Sequence, residues 1–337
     1  MGRLWDLERA KVLAIFLVVV GHIFGYAPPV GGEWWFIPES YIYLFHMPLF
    51  MFLSGFVFGL KRYDDLRLRD FPGYVRARAE RLLIPFMAMA IIIIAGKTVA
   101  RDVAGVSLSD QTLGQNVLGV LGHYGFAASP VQFIWYLFVV FLFSIMTALL
   151  CGIGKIPVPA VLLAAGILFL IDVPDIYYLF YVGKFYLFFM LGVVCCHRRE
   201  RAYDLVDRHA LAFHAAFLLA SAVFFVSFWD LREFYASRFW ILVMSATAIP
   251  SIIAFMRSGW ATRQEWLTYL SGYVFIIYLF NVPFIGFAKE VIKRAIPYTN
   301  EYMILYAPIL VGAGFVGPIV LRKLVFERWS YLRRMTA

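Results

Sequence analysis

The chain has 337 residues, 63% of them apolar, a mean hydropathy of +0.79 and a formal net charge of +9. A soluble core does not need so many apolar residues, and here they come in long blocks, which points to a polytopic membrane protein. The basic residues flank those blocks and build no separate basic domain, so the charge gives no support to nucleic-acid binding.

In chain order the blocks predict an all-α integral membrane protein of about ten spans. They fall near 10–28, 40–60, 82–100, 131–150, 158–172, 179–196, 210–228, 237–256, 267–287 and 303–321. The fifth is short. The 101–130 connection is long and polar, and is read as a short surface helix or a lid. An N-terminus placed inside gathers Lys61, Arg62, Arg67, Arg69, Arg76, Arg78 and Arg81 in one cytoplasmic loop. Arg198, Arg199, Arg201 and Arg208 fall in another, and Arg322, Lys323, Arg328, Arg333 and Arg334 in the tail. In all, 22 of the 30 Lys and Arg are then cytoplasmic, a clear positive-inside bias. An even span number puts both termini in the cytoplasm. The first span has no small-residue cleavage site and nine more follow, so it does not read as a cleaved signal peptide. Cys151, Cys195 and Cys196 fall near cytoplasmic span ends, where thiols stay reduced. No Cys/His spacing suggests zinc or another metal, and no nucleotide fingerprint or internal repeat is visible.

The first span carries Glu8, Lys11 and His22. Lys11 and His22 lie eleven residues apart, almost three helical turns, so they share a face within about 20° and are roughly 16 Å apart along the axis. With Lys11 at the membrane surface, His22 lies near the midplane, where an ionisable side chain is costly and marks a functional site. The competing reading is a snorkelling lysine and a histidine bonded to a neighbouring helix. Glu8, one turn before Lys11, can pair with it. The second span adds His46 at a similar depth from the other side, and two converging histidines suggest a polar cavity. Pro48 would free a carbonyl nearby, and Gly55 and Gly59 have the spacing of a close helix approach. Arg76, Arg78 and Arg81 either grip phosphates or anchor the loop. Trp135 opens the fourth span at belt position. Lys184 reads as snorkelling. In the ninth span Tyr269, Ser271, Gly272, Tyr273, Tyr278 and Asn281 are expected mid-membrane, facing the bundle interior.

Several of these segments match family motifs. Lys11, ten residues, then His22 sits within Glu8-x-x-Lys11 and Val20-Gly21-His22. Phe45-His46-Met47-Pro48-Leu49-Phe50 precedes Leu53-Ser54-Gly55. Arg78 to Pro85 reads Arg-x-x-Arg-Leu-Leu-x-Pro, Trp135 opens the fourth span, and Ser271 is followed by Tyr278-Leu279. In these the chain resembles the membrane acyltransferase-3 family, nearest the fucose 4-O-acetylase and related acetyltransferases branch. Asn281 departs from the pattern by replacing a histidine, and Glu8 stands where the branch usually has Asp.

The resemblance implies one acyltransferase-3-like transmembrane domain over 1–337 with no fused soluble domain, in the inner (plasma) membrane. It implies O-acetylation, or another short O-acylation, of a sugar in an envelope or exported glycan. The donor co-substrate would be cytoplasmic acetyl-CoA, with no permanently bound cofactor. His22, Lys11 and Glu8 would be catalytic, Arg76, Arg78 and Arg81 would bind acyl-CoA, and His46, Trp135, Tyr278 and Asn281 would line the acceptor cavity. His22 would act as general base or as an acyl carrier. A glycan or lipid-linked sugar, the lipid bilayer and a polysaccharide-synthesis complex are the expected partners. The rival is a secondary transporter of a glycan or lipid-linked sugar, against which stands the lack of an inverted repeat.

Overall fold

Backbone polar groups inside a bilayer must be satisfied within their own segment, so long apolar blocks take helical form. The computed structural model describes residues 4–25, 28–104, 113–122, 133–174, 176–230 and 237–328. Among them the regular structure is helical, with one isolated bridge between Val30 and Thr299. Eight helical segments among the described residues are long and apolar enough to cross a membrane, as a multi-pass membrane protein requires.

Two expected spans fall outside that set for different reasons. Helix α1 (Trp5–His22) has the length but carries Asp6, Glu8, Arg9 and Lys11 in its first two turns. Helix α7 (Val158–Leu170) is apolar but only 13 residues long, roughly 20 Å at 1.5 Å per residue, against a hydrocarbon core of about 30 Å.

The chain divides into two compact units, Met1–Leu53 with Arg198–Ala337, and Ser54–His197. Helix α2 (Phe36–Leu60) runs from the first into the second. The first unit also holds α9 (Arg199–Arg208), α10 (Ala210–Ser227), α11 (Arg238–Arg257), α12 (Glu265–Ser271), α13 (Val274–Ile292) and α14 (Met303–Leu324). There α1 packs against α11, α12, α13 and α14. Residues on most of its circumference are buried, from Asp6 and Leu7 to Val19 and Gly21. That is why α1 tolerates charges: its polar turns meet protein, not lipid.

The second unit holds α3 (Phe71–Arg78), which passes through a π-turn (Ala79–Leu83) into α4 (Ile84–Ala104). It continues with α5 (Leu113–Gly122), α6 (Trp135–Thr147), the π-turn Ala148–Ile153, α7 and α8 (Leu179–His197). Within it the end of α2 meets α8 at very short range. A Cβ at Gly55 would overlap the Phe189 carbonyl, and one at Gly59 would lie 3.0 Å from Cys196 Cβ. The two glycines are there for backbone approach. Cys151, Cys195 and Cys196 are free thiols.

The ninth span differs from expectation. It breaks after Ser271, with α12 before Gly272 and Tyr273 and α13 after them. Tyr269 is 53% exposed. Its hydroxyl donates to Tyr273 Oη at 3.3 Å. Arg322 donates to the Gly272 carbonyl, and its guanidinium lies 4.8 Å from the Tyr273 ring centroid. These groups therefore mark a polar helix break beside basic side chains, not a mid-membrane cluster; Tyr278 and Asn281 alone sit inside α13, buried. Of the 101–130 connection, α5 bears out a short helix. Residues 105–112 and 123–132, where a lid would lie, are outside the described residues, as are Arg333 and Arg334 of the tail.

Replacing Gly55 by Val should lower the thermal midpoint of the purified protein, by a destabilisation on the order of 1–3 kcal/mol or more. Gly166→Val, where a Cβ meets nothing within 4 Å, should leave it near wild type. Equal midpoints for the two variants would show that the α2–α8 contact is looser than described.

Candidate functional site

The candidate catalytic residues of the first unit sit on one unbroken helix. Near its start Lys11 Nζ donates to Glu8 Oε1 at 2.9 Å, with side chains 25% and 21% exposed. The pair is fixed by one-turn spacing and holds the ammonium along α1. At the far end His22 Nδ1 lies 2.8 Å from the Val18 carbonyl. A carbonyl only accepts, so Nδ1 carries the hydrogen and donates it. The lone pair of the neutral ring is then on Nε2, the arrangement a general base or nucleophile needs.

His46 on α2 repeats this geometry: its Nδ1–H donates to the Ile42 carbonyl at 2.7 Å. Tyr43 touches both imidazoles. Its ring meets His22 edge-on at 6.3 Å and His46 at 4.8 Å between centroids. Gly21 permits this, since a Cβ there would sit 3.3 Å from the Tyr43 ring. The structure thus gives His22 and His46 one tyrosine as a common neighbour. Tyr43 had no motif to announce it; its place three residues before His46 was the available signal.

Asn281 is 1% exposed on α13, which packs on α1. Its amide N–H groups donate to the Ile277 and Tyr278 carbonyls, both at 2.9 Å. Its Oδ1 is buried with no hydrogen-bond partner among the described residues. A carboxamide held this way offers an acceptor but no proton to exchange, unlike the histidine of the family pattern. Tyr278 is buried on the same helix.

A second set of charges, not singled out by sequence, moors the start of α1. Arg257 at the end of α11 donates from Nε and Nη2 to the two Asp207 carboxylate oxygens at 2.8 and 2.5 Å. Its Nη1 is 3.6 Å from Asp6 Oδ2, and its guanidinium lies 4.0 Å from the Tyr203 ring centroid. The double hydrogen bond holds the Asp207 carboxyl below the usual carboxylate range, while burial pushes the Tyr203 phenol up. Arg9 Nη2 donates to the Thr262 carbonyl at 3.3 Å. The signal for this was two charges of opposite sign three residues apart at the mouth of an apolar run.

The remaining candidates belong to the second unit. Arg76 is exposed and donates to Glu80 Oε1 at 2.9 Å, so its charge already has a partner. Arg78 Nε donates to Tyr74 Oη at 3.3 Å, and its guanidinium lies 4.9 and 5.6 Å from the Tyr63 and Tyr74 ring centroids. Arg81 is exposed in the π-turn. Such turns interrupt helices often at functional positions. Trp135 is 8% exposed and stacks on Tyr181 at 4.0 Å and Phe185 at 5.3 Å. That packing gives it a core role within this unit. Lys184 lies 5.4 Å from the Phe180 ring centroid.

Comparison with known proteins places the chain. The acyltransferase-3 family, described as an acyltransferase domain, matches residues 4–323. The chain therefore belongs to that family. It is also similar to the nodulation protein NolL of Mesorhizobium japonicum, 33% identical over 90 residues, which is 26% of this chain and 23% of that protein. The match thus spans about a quarter of each. No solved structure matches the chain.

The mooring of α1 is testable by stability and pH. Arg257→Met should cost on the order of 3 kcal/mol by leaving Asp6 unpaired in a buried position. The Asp207 share has a sign. A lowered carboxyl pKa stabilises the fold above the unfolded value, about pH 4, and that contribution is lost as pH falls through the lowered value. Thermal midpoints followed from pH 7 down to pH 3 should fall less steeply in Arg257→Met than in wild type; parallel curves would remove the Arg257–Asp207 bond from the account.

Proposed function

We propose that this member of the acyltransferase-3 family moves an acetyl or other short acyl group from cytoplasmic acyl-CoA to a sugar hydroxyl of an envelope or exported glycan. Its setting is the inner membrane, with both termini cytoplasmic. The likeness of its motifs to the fucose 4-O-acetylase branch supports the choice of a sugar hydroxyl. The observation that carries the mechanism is His22, whose Nδ1–H is tied to the Val18 carbonyl, leaving Nε2 as the basic atom on the helix that also bears Glu8 and Lys11.

Nε2 takes the proton of the acceptor hydroxyl as its oxygen attacks the thioester carbonyl. The new C–O bond forms, the C–S bond breaks, and the CoA sulfur leaves with the proton returned from the imidazolium. Capture of the acyl group on Nε2, then its transfer to the hydroxyl, is the two-step version of the same exchange. Lys11, oriented by Glu8, supplies a fixed positive charge at the helix end assigned to the donor side, suited to a phosphate of CoA. Within the second unit, Arg76, Arg78 and Arg81 are the acyl-CoA contacts of this reading; Arg76 also bonds Glu80. Asn281 cannot carry a proton, so the proton traffic rests on His22 and His46.

Removing a general base costs about 10²–10⁴-fold in rate. His22→Ala should lose acyl transfer to that extent while keeping wild-type expression, assayed by ester analysis of the acceptor glycan. Normal acylation by a well-expressed His22→Ala protein sinks the assignment. Lys11→Ala should weaken transfer strongly, and Lys11→Arg should keep part of it. Equal activity in the two would reduce Lys11 to a membrane anchor. Impermeant labelling of a cysteine at position 70 in intact cells should fail; rapid labelling would reverse the orientation and the donor route with it.

A further inference from the structure

Of the eight Lys and Arg that the charge rule leaves off the cytoplasmic side, three are gathered in one place. Lys289, Lys293 and Arg294 fall within six residues at the end of α13 assigned to the non-cytoplasmic side. Membrane topology does not ask for them there. The fold carries them to the end of α1 that bears His22: Lys289 Nζ donates to the Phe24 carbonyl at 3.1 Å, two residues past that histidine. Glu290 bonds Lys293 at 2.9 Å, whereas among the described residues no carboxylate lies within ion-pair distance of Lys289. Both ammonium groups lie over one ring, 5.7 and 4.8 Å from the Tyr298 centroid. Their positive charge is thus gathered at one spot and only partly compensated.

Beside this spot the structure builds an aromatic ledge. The Val30 N–H donates to the Tyr298 carbonyl at 3.1 Å and the Asn300 N–H to the Val30 carbonyl at 2.9 Å, which joins the loops 28–35 and 298–302. Gly31 turns the first loop at φ +77°, in the left-handed region. Trp35 packs edge-on against Phe24 at 5.0 Å. Trp34 is different. Its indole N–H donates to Asn300 Oδ1 at 2.8 Å, yet 48% of the residue is exposed. An indole anchored by its N–H keeps a fixed orientation, and this one keeps open surface. An indole of this size, fixed in orientation and open beside partly compensated positive charge, is suited to receive a ligand.

We propose that Trp34, Asn300, Lys289 and Lys293 form a recognition platform for an anionic saccharide: the Trp34 face stacks on a sugar ring and the two ammonium groups receive a carboxylate or phosphate borne by it. The proposal rests on the glycan reading above and narrows its acceptor to an acidic sugar. Lysine is suited to the role because a compact ammonium meets either anion without a fixed two-pronged geometry. The position suits it as well, since the platform continues directly into the segment that ends α1 at His22.

Binding is the direct test, on the purified full chain in detergent by titration calorimetry. The probes are a uronic-acid disaccharide, a hexose 1-phosphate and a neutral disaccharide. Both or one of the acidic probes should bind more tightly than the neutral one, with affinity falling as salt rises; which acid binds better identifies the anion. Trp34→Ala and Lys289→Gln should each weaken acidic-probe binding about tenfold or more, as loss of a central contact does. Lys293→Gln should weaken it too, Lys289→Arg should retain most of it, and all should bind acetyl-CoA as wild type does. Thermal midpoints identify any variant that fails to fold, and the remaining variants then decide. Acidic probes binding no better than the neutral one, or as tightly to Trp34→Ala and folded Lys289→Gln or Lys293→Gln as to wild type, would overturn the platform. His22→Ala separates the two claims: it should lose transfer yet keep probe binding. Probe binding intact in a wild-type protein that transfers no acyl group would uphold the platform and remove the proposed reaction.

Discussion

Asp6 and Arg9 are charges buried at the start of α1, and the first unit is organised around receiving them. Arg257 reaches Asp6 from the end of α11 while its other edge is held by Asp207. Thr262 offers a carbonyl to Arg9 from the turn that follows. An isolated charge in such a place would be expelled or neutralised. Paired as they are, the charges fix α1 along its axis and in rotation. Everything the proposed chemistry needs on α1 is downstream of that registry. Were α1 to turn by one residue, about 100°, Lys11 and His22 would face a different neighbour.

The site itself uses a simple device twice. His22 and His46 each donate Nδ1–H to the carbonyl one turn back. The bond satisfies a donor that would be costly to leave unmade in the membrane interior, and it chooses the tautomer. Tyr43 packs edge-on against both rings. Gly21 makes room for it. The device also explains why Asn281 is tolerable in place of the family's histidine. Its amide bonds back to its own helix, as both histidines do, so the helix geometry is preserved while one titratable group is given up.

Much of this was legible in the sequence where one helix sufficed. The shared face of Glu8, Lys11 and His22 follows from helical spacing, and the unbroken α1 keeps it. Gly55 and Gly59 announced a close helix contact, which α8 provides. What failed was legible only across helices or at breaks. Hydropathy runs smoothly through 267–287, yet Arg322 from α14 draws in the Gly272 carbonyl and ends α12 there. Trp135 had the look of an interfacial residue, but two rings of α8 cover it, which no local pattern records. The partners of Asp6 and Arg9 lie some 250 residues away, 253 in the case of Thr262. Counting cations by side of the membrane passed over Lys289, Lys293 and Arg294, whose meaning lies in being exceptions gathered in one place.

The central claim is that α1 presents an imidazole whose Nε2 is bare and whose Nδ1 is protonated. Solid-state ¹⁵N NMR of the reconstituted protein, with histidine labelled and His22 assigned by its loss in His22→Gln, reads this directly. The account predicts, at neutral pH, a protonated Nδ1 and an unprotonated Nε2 for His22. A proton on Nε2, in either the opposite tautomer or the imidazolium, would contradict it and remove the base from the proposed reaction.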